Sequence, residues 1–331
     1  MLRLELPWLQ ATLDRVPSAL PAALLLSGQK GLGKGALALA LAQSRLCEGK
    51  ATPGAGCGTC PSCHLFVSGN HPDFRLLRPE AQTDEAQGED EPTATAKKPS
   101  LYIRIEAVRA VSELAGMTSH RGGARVVVIA PAESLYPSAA NALLKILEEP
   151  PPLMHFLLVS HEPHRLPKTI LSRCLRVAVV APTLGSARDW LQERAGERSE
   201  LALAMGAYAP LSAADLAQND EYWISRRAFM DEFWREDGDP MTMAQYAEPL
   251  EPAALASMLQ MCCHDILTAR HGIQVRYHRD YAAKIRKRSL LWAPQAVAKW
   301  HDEILRFARS AYHPLNRRLA LEALFAALPV A

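Results

Sequence analysis

A glycine-rich loop between an apolar run and a helix-forming segment constrains the fold of this chain more than any other feature. Residues 22–27 (AALLLS) predict a short buried strand, and residues 34–47 have the length and composition of a helix. Residues 28–35 (GQKGLGKG) join the two. A strand, a glycine-rich turn and a helix in this order are typical of phosphate-binding loops in parallel α/β folds. The sequence therefore predicts a parallel sheet whose first strand leads into such a loop.

Strand-like and helix-like patterns go on alternating after this loop. Further strand-like runs, rich in apolar and β-branched residues, lie at 74–77, 125–130, 156–160 and 175–180. Apolar residues at helical spacing lie between them, as over 105–114 and 138–147. Strands that are separated by helices form parallel sheets that are covered on both faces. We therefore expect one sheet that contains all five runs.

After Pro182 the pattern becomes wholly helical. The sequence thus predicts an α/β domain over residues 1–181, a small all-α domain over 182–218 and a second all-α domain over 219–331. Residues 78–100 differ in kind, because they combine six acidic side chains with no large apolar residue. Such a segment cannot bury enough surface to offset the entropy of ordering, so we expect a mobile acidic insertion. An acidic interaction segment is the alternative.

Charge balance and apolar windows exclude several classes of protein. Hydrophobic residues make up 49% of the chain, which excludes global disorder. The 37 Lys and Arg nearly balance the 35 Asp and Glu, which argues against bulk electrostatic binding to nucleic acid or membranes and leaves a local basic patch open. The most apolar windows, 19–28 and 36–42, are shorter than the ~18–20 residues of a membrane span. Glu5 and Pro7 interrupt the N-terminal stretch where a secretory signal would be apolar. We expect a cytoplasmic protein without a membrane partner.

Gly28, Gly31, Gly33 and Lys34 are the candidate phosphate-binding residues of the glycine-rich loop. Glycines allow backbone N–H groups to turn toward an anion, and the N-terminus of the following helix adds positive potential. The lysine ammonium would reach the terminal phosphates of ATP or ADP. The position after the lysine normally carries a Ser or Thr whose hydroxyl holds magnesium, but here it is Gly35.

The second part of a metal-dependent nucleotidase is also missing. Acidic residues that hold the metal would follow the strand at 126–129, but the next residues are Ala130 and Pro131, and Glu133 lies beyond them. We therefore expect no Mg²⁺ site. Three interpretations of the loop stay open at this point: a tight strand-to-helix turn, nucleotide binding without turnover, and a competent ATPase.

Four cysteines are clustered with a spacing that is typical of metal ligands. Cys47, Cys57, Cys60 and Cys63 form the pattern C-x9-C-x2-C-x2-C. Two thiolates separated by two residues can hold one ion from a tight turn, and four sulfurs complete the closed tetrahedral shell of structural Zn²⁺. The sequence predicts such a zinc module over residues 47–63. The ion would stabilise the fold of this segment, which is too polar to fold by packing alone. Another metal and four unbound thiols are the alternatives.

Three segments carry a resemblance to a known family. In chain order they are residues 141–151 (NALLKILEEPP), 156–160 (FLLVS) and 166–174 (LPKTILSRC). They resemble the AAA+ clamp-loader ATPases of bacterial DNA polymerase III. The Ser172-Arg173-Cys174 triplet is among the most specific marks of that group.

The resemblance implies a RecA-like AAA+ domain with an embedded zinc module, followed by an all-α lid and an all-α collar domain that oligomerises. It implies a ring of five subunits, among them delta and gamma/tau, that places a sliding clamp on primer-template DNA. Gly35 and the Ala130-Pro131 pair favour a subunit that does not hydrolyse ATP over an active ATPase of the gamma/tau type. In that setting Arg173 would act in trans, as an arginine finger that neutralises the γ-phosphate in a neighbouring site.

The residues alone leave open the role of a basic segment and one alternative for the whole chain. Residues 270–288 contain seven basic side chains with two tyrosines between them, so they could contact DNA phosphates, and a solvated surface of the last domain is the alternative. A free-standing zinc-containing protein that binds DNA is an alternative for the whole chain. Cys262 and Cys263 lie on a predicted apolar helix, where we expect them in the core.

Overall fold

The computed structural model describes residues 6–82, 100–310 and 316–329. The chain divides into two compact units, Met1–Pro182 and Thr183–Ala331. The first unit ends one residue after the predicted end of the α/β domain at residue 181. The division of the second part into a lid and a collar near residue 219 stays a prediction. Most of the predicted acidic insertion at 78–100 lies outside the described residues, which omit 83–99.

A five-stranded parallel sheet organises the first unit. Its strands are Ala23–Ser27 (β1), Phe74–Leu77 (β2), Arg125–Ile129 (β3), Met154–Ser160 (β4) and Leu175–Ala178 (β5). Their order across the sheet is β2-β3-β4-β1-β5, and every neighbouring pair is parallel. Leu24, Leu25 and Leu26 of the central strand β1 are fully buried, because helices cover both faces. The predicted parallel α/β architecture is confirmed.

In the described part of the first unit, one short helix precedes the first strand, and the other helices lie in the connections between strands. They are Gln10–Leu13 (α1), Lys34–Leu46 (α2), Pro61–Val67 (α3), Ile105–Gly116 (α4), Pro137–Glu148 (α5) and Lys168–Leu171 (α6). Strand β1 leads through the glycine-rich loop into α2, and β4 leads through a short turn into α6. The carboxyl ends of β1 and β4 lie side by side, with Ser27 opposite Ser160. Ligands of open parallel sheets bind beyond the carboxyl ends of the strands, so this edge positions the candidate site.

The described part of the second unit is helical. Its helices are Leu184–Ala195 (α7), Ser199–Met205 (α8), Pro210–Gln218 (α9), Asp220–Phe233 (α10), Pro240–Ala247 (α11), Pro252–Ala269 (α12), Ala282–Leu291 (α13), Pro294–Ser310 (α14) and Arg317–Ala326 (α15). Its core contains Phe233, whose ring stacks on Trp300 with centroids 5.8 Å apart and also contacts Phe325. None of the helices in the described ranges is long and apolar enough to cross a membrane.

Buried polar groups in the second unit were not anticipated from the sequence. Asp265 on α12 and His278 are both fully buried, and one oxygen of Asp265 lies 3.2 Å from Nδ1 of His278. The Asp265 carboxylate also accepts backbone N–H bonds from Arg276, Tyr277 and His278. Nε2 of His278 then faces the sulfur of the buried Cys262 at 3.6 Å. The network ties the loop before α13 to α12, and Cys262 is in the core as expected.

Stability of the chain is expected to fall as the pH drops below about 6.5 because of His278. Burial lowers the pKa of His278, although the hydrogen bond to Asp265 acts to raise it. A histidine with a lowered native pKa binds fewer protons in the folded state than in the unfolded state. Its contribution to the free energy of unfolding is therefore complete above the unfolded pKa of about 6.5 and is lost as the pH falls through the native pKa. This residue changes the free energy of unfolding by at most about 1.4 kcal/mol per pH unit.

Chemical denaturation between pH 5 and 8 measures this slope. His278→Gln should flatten the fall in unfolding free energy, whatever it does to the stability at pH 8. As a control, Ile266→Val on α12 removes one buried methyl group, which should lower stability by about 1 kcal/mol and leave the slope unchanged. A slope that is equally steep in His278→Gln would show that this histidine titrates normally in the folded chain.

Candidate functional site

The glycine-rich loop has the backbone of a phosphate-binding loop. Gly31 and Gly33 adopt φ angles of +83° and +87°, in the left-handed region that favours glycine, and Gly33 caps the N-terminus of α2. Lys34 is the first residue of α2, and its side chain is buried. Its ammonium donates to the carbonyls of Gly28 and Gln29, each at 2.6 Å. The lysine therefore binds its own loop.

Burial of Lys34 changes its chemistry. Desolvation lowers the pKa of its ammonium to about 8, and the nearby charge of Glu133 acts in the opposite direction. On the other side of the loop, the indole N–H of Trp8 donates to the carbonyl of Leu32 at 2.9 Å. This role of Trp8 could not be predicted from the sequence, because the contact joins residues 24 positions apart and depends on the packing of the N-terminal segment.

The metal-holding positions that the sequence lacks are absent from this edge of the sheet as well. Gly35 has no side chain, and Ala130-Pro131 follows the last residue of β3. Glu133 lies in a single 3-10 turn beyond it, where one oxygen accepts the backbone N–H of His161 at 2.9 Å. The other oxygen of Glu133 and the hydroxyl of Ser160 are buried without a hydrogen-bond partner in the described part of the chain. The absence of a Mg²⁺ site stays a prediction that this geometry favours.

The four clustered cysteines converge on one point. Their sulfurs all lie within 4.8 Å of one another, so they could hold one metal ion. Cys47 follows the end of α2, Cys60 caps the N-terminus of α3, and Cys63 lies in the first turn of that helix. The sulfurs of Cys47 and Cys60 are 3.9 Å apart, close to the ~3.8 Å edge of a tetrahedron with Zn–S bonds of ~2.3 Å.

The backbone around the cluster supports thiolate ligands. Cys47 sulfur accepts N–H bonds from Gly49 and Cys57, and the sulfurs of Cys57 and Cys60 accept them from Cys60 and Cys63 at 3.4 Å. A Cβ on Gly49 would come within 2.9 Å of a cluster sulfur, which explains why a glycine lies there. Such N–H···S contacts orient metal ligands and stabilise their charge.

Two of these thiols differ strongly in acidity. Hydrogen bonds from Thr59 lower the pKa of Cys57 to about 6, whereas burial raises the pKa of Cys63 to about 12. Without a metal ion, Cys63 stays protonated at neutral pH. Metal binding must therefore displace a proton, and acid is expected to weaken it.

Arg173 lies just beyond α6, with its side chain about one third exposed. One terminal nitrogen donates to the carbonyl of Thr169 at 2.9 Å, and the other forms an ion pair with Glu148 at 2.6 Å. Neighbouring Cys174 packs against the core of the sheet, and burial raises the pKa of its thiol to about 11. The arginine is accessible from outside the unit, as a group that acts in trans must be.

Several basic side chains of residues 270–288 form hydrogen bonds or ion pairs within the second unit. Arg270 donates to two backbone carbonyls, Arg279 pairs with Glu200 at 2.9 Å, and Lys287 pairs with Glu236. These contacts favour the solvated-surface interpretation over a DNA-binding one.

The sequence model of the family described as "DNA polymerase III, delta subunit" matches residues 13–182, just over half of the chain. The chain belongs to this family. Family membership thus rests on the unit that contains the glycine-rich loop, the cysteine cluster and Arg173.

Curated relatives carry the name "DNA polymerase III subunit delta'". The protein from Pseudomonas aeruginosa is 38% identical over 216 residues, which cover 63% of this chain and 60% of the relative. The one from Escherichia coli K12 is 33% identical over 228 residues, or 66% of this chain and 63% of the relative. The chain thus spans about three fifths of the length of these relatives. A solved Thermotoga maritima protein related to the DNA polymerase III gamma subunit aligns over 96% of this chain, with 17% identity and a TM-score of 0.45.

Proposed function

We propose that this chain is a delta-prime subunit of the DNA polymerase III clamp loader. In the cytoplasm it would assemble with delta and gamma/tau subunits and help to place the sliding clamp on primer-template DNA. The identity of 38% to a relative named subunit delta', together with the family match over residues 13–182, carries this proposal.

The subunit does not hydrolyse ATP itself. The state of Lys34 supports this part of the proposal, because an ammonium that is buried against the carbonyls of Gly28 and Gln29 must break both bonds to reach a phosphate. No hydroxyl at position 35 and no carboxylate directly after β3 offers a ligand for Mg²⁺. The glycine-rich loop then has a structural role, although its backbone resembles that of a nucleotide-binding loop. It contains Gly28, Gly31, Gly33 and Lys34.

The cysteine cluster holds Zn²⁺ in a structural role. Four sulfur ligands close the tetrahedral shell, and a catalytic zinc site would keep one position open for water or substrate. Cys47, Cys57, Cys60 and Cys63 would supply these ligands. The ion fixes the connection between α2 and α3, which contains only short turns and one isolated bridge.

Arg173 supplies the catalytic contribution of the subunit. A guanidinium is always charged and forks onto two phosphate oxygens, so it suits the γ-phosphate of a neighbouring gamma/tau site. Its partial exposure beyond α6 supports this role. The subunit would thus lend one group to catalysis while having no working site of its own.

Reconstitution tests the proposal. The chain alone should show no Mg²⁺-dependent ATP turnover, and mixing it with delta and gamma/tau subunits should yield one complex of defined mass by light scattering. A chain that hydrolyses ATP alone, with turnover lost in Lys34→Ala and kept in the exposed Lys30→Ala control, would instead be an active ATPase of the gamma/tau type. A chain that joins no loader subunit would contradict the proposed assembly.

A further inference from the structure

We infer that Glu148 is the positioning residue that holds Arg173 ready for a neighbour's phosphate. The inference rests on the proposed trans role of Arg173. The ion pair joins the last residue of α5 to the residue that follows the C-cap of α6, across 25 positions of the chain. Glu148 and Arg173 lie shortly before β4 and β5 begin, at the opposite edge of the parallel sheet from the glycine-rich loop.

The position of Glu148 is electrostatically unusual. A carboxylate in the last turn of a helix lies at the negative end of the helix dipole, where cations are favoured. Arg173 supplies the compensating cation at 2.6 Å. Three prolines at 150–152 follow α5 and restrict the backbone beyond it, while Leu147 is buried in the core of the sheet. The carboxylate therefore projects from a fixed backbone.

Arg173 is also held from the opposite side, by its own helix. Its Nη1 donates to the Thr169 carbonyl in the last turn of α6, a favourable place for a cation. The two contacts use one terminal nitrogen each. Nη1 also lies 3.4 Å from the Ser172 hydroxyl. Within the described part of the chain, Nε of Arg173 forms no hydrogen bond, and Nη2 keeps a second hydrogen.

This arrangement favours a Glu148 that positions Arg173 over one that prevents Arg173 from binding phosphate. A guanidinium has five N–H donors, so Glu148 and Thr169 can keep one face of it in place while the remaining donors bind phosphate oxygens. An arginine side chain otherwise samples many rotamers, and fixing one before the encounter reduces the entropy that is lost when it engages the transition state. Glu148 therefore increases the rate that Arg173 provides without touching the nucleotide.

ATPase measurements on the reconstituted loader test the inference. Glu148→Ala should lower kcat of the neighbouring site by about 2- to 10-fold, the range that immobilising one flexible side chain corresponds to, with little change in KM for ATP. Glu148→Gln keeps an oxygen acceptor and should restore part of the rate. The matched control is Glu149→Ala, which removes an exposed carboxylate one residue away and should have no effect.

The decisive comparison is the same substitution in an Arg173→Ala background. There Glu148→Ala should change nothing further, because its effect acts through Arg173. An equal loss of rate in both backgrounds, or a gain of rate in Glu148→Ala alone, would overturn the positioning role. The positioning role would also be overturned if Glu148→Ala left the ATPase rate of the loader unchanged while Arg173→Ala lowered it. If Arg173→Ala itself changes no rate, the trans role fails, and the inference fails with it.

Discussion

Arg173→Ala is expected to lower ATP hydrolysis by the adjoining gamma/tau subunit by about 10³-fold or more, while the loader still assembles. The guanidinium would neutralise charge that develops on the γ-phosphate in the transition state, and alanine leaves that charge uncompensated. Assembly should survive because the side chain is one third exposed and its contacts with the described residues are an ion pair with Glu148 and hydrogen bonds to Thr169 and Ser172. Single-turnover hydrolysis with the mass of the complex measured in parallel gives both quantities.

Two further variants make this result specific. Arg173→Lys keeps the charge but loses the planar fork, so it should retain only part of the rate. Arg165→Ala removes another exposed arginine of the same unit, paired with Glu162, and should leave hydrolysis unchanged. Equal rates for wild type and Arg173→Ala would remove the arginine finger and leave the subunit with an assembly role alone.

The sheet was predictable because its strands are short apolar runs bounded by glycine, proline and helical patterns. Phe74–Leu77 agrees with its prediction residue for residue, and β4 begins two residues earlier than predicted. The region after Pro182 was predicted to be helical as a whole, but the individual helical segments recognised there did not include α11 or α13. Helix α13 buries only Ile285 and Ser289 among charged neighbours, so its sequence shows basic composition and no apolar stripe.

The candidate site residues could be named from the sequence, but their contacts could not. Glycines, cysteines and the Ser172-Arg173-Cys174 triplet are visible as local patterns. The inward turn of Lys34 depends on where the Gly28 and Gln29 carbonyls point, and the pairing of Glu148 with Arg173 depends on how two helices pack. The Asp265–His278 pair was missed for a related reason: polar residues predict a surface unless their partners, here 13 positions apart, are known.

Loss of the proposed zinc ion is expected to have the largest effect on the fold of the first unit. Cys63→Ser replaces the most buried ligand of the cluster with a hydroxyl that binds zinc poorly. We expect bound zinc to fall from one equivalent to none, and the free energy of unfolding of the first unit to fall by more than about 4 kcal/mol. Elemental analysis and denaturant unfolding measure the two effects, and limited proteolysis should then cut within residues 47–63.

A control and an acid titration separate ligand loss from ordinary core damage. Cys174→Ser alters a half-buried thiol outside the cluster, so it should keep the full zinc content. In the wild type, zinc should dissociate as the pH falls, because protons compete for all four sulfurs and hold Cys63 most tightly. Since metal binding stabilises only the folded unit, the chelated wild type should unfold at the same denaturant concentration as Cys63→Ser. A chelated wild type that kept its stability and its resistance to protease would show that the connection between α2 and α3 folds without an ion, and that the cysteines have another purpose.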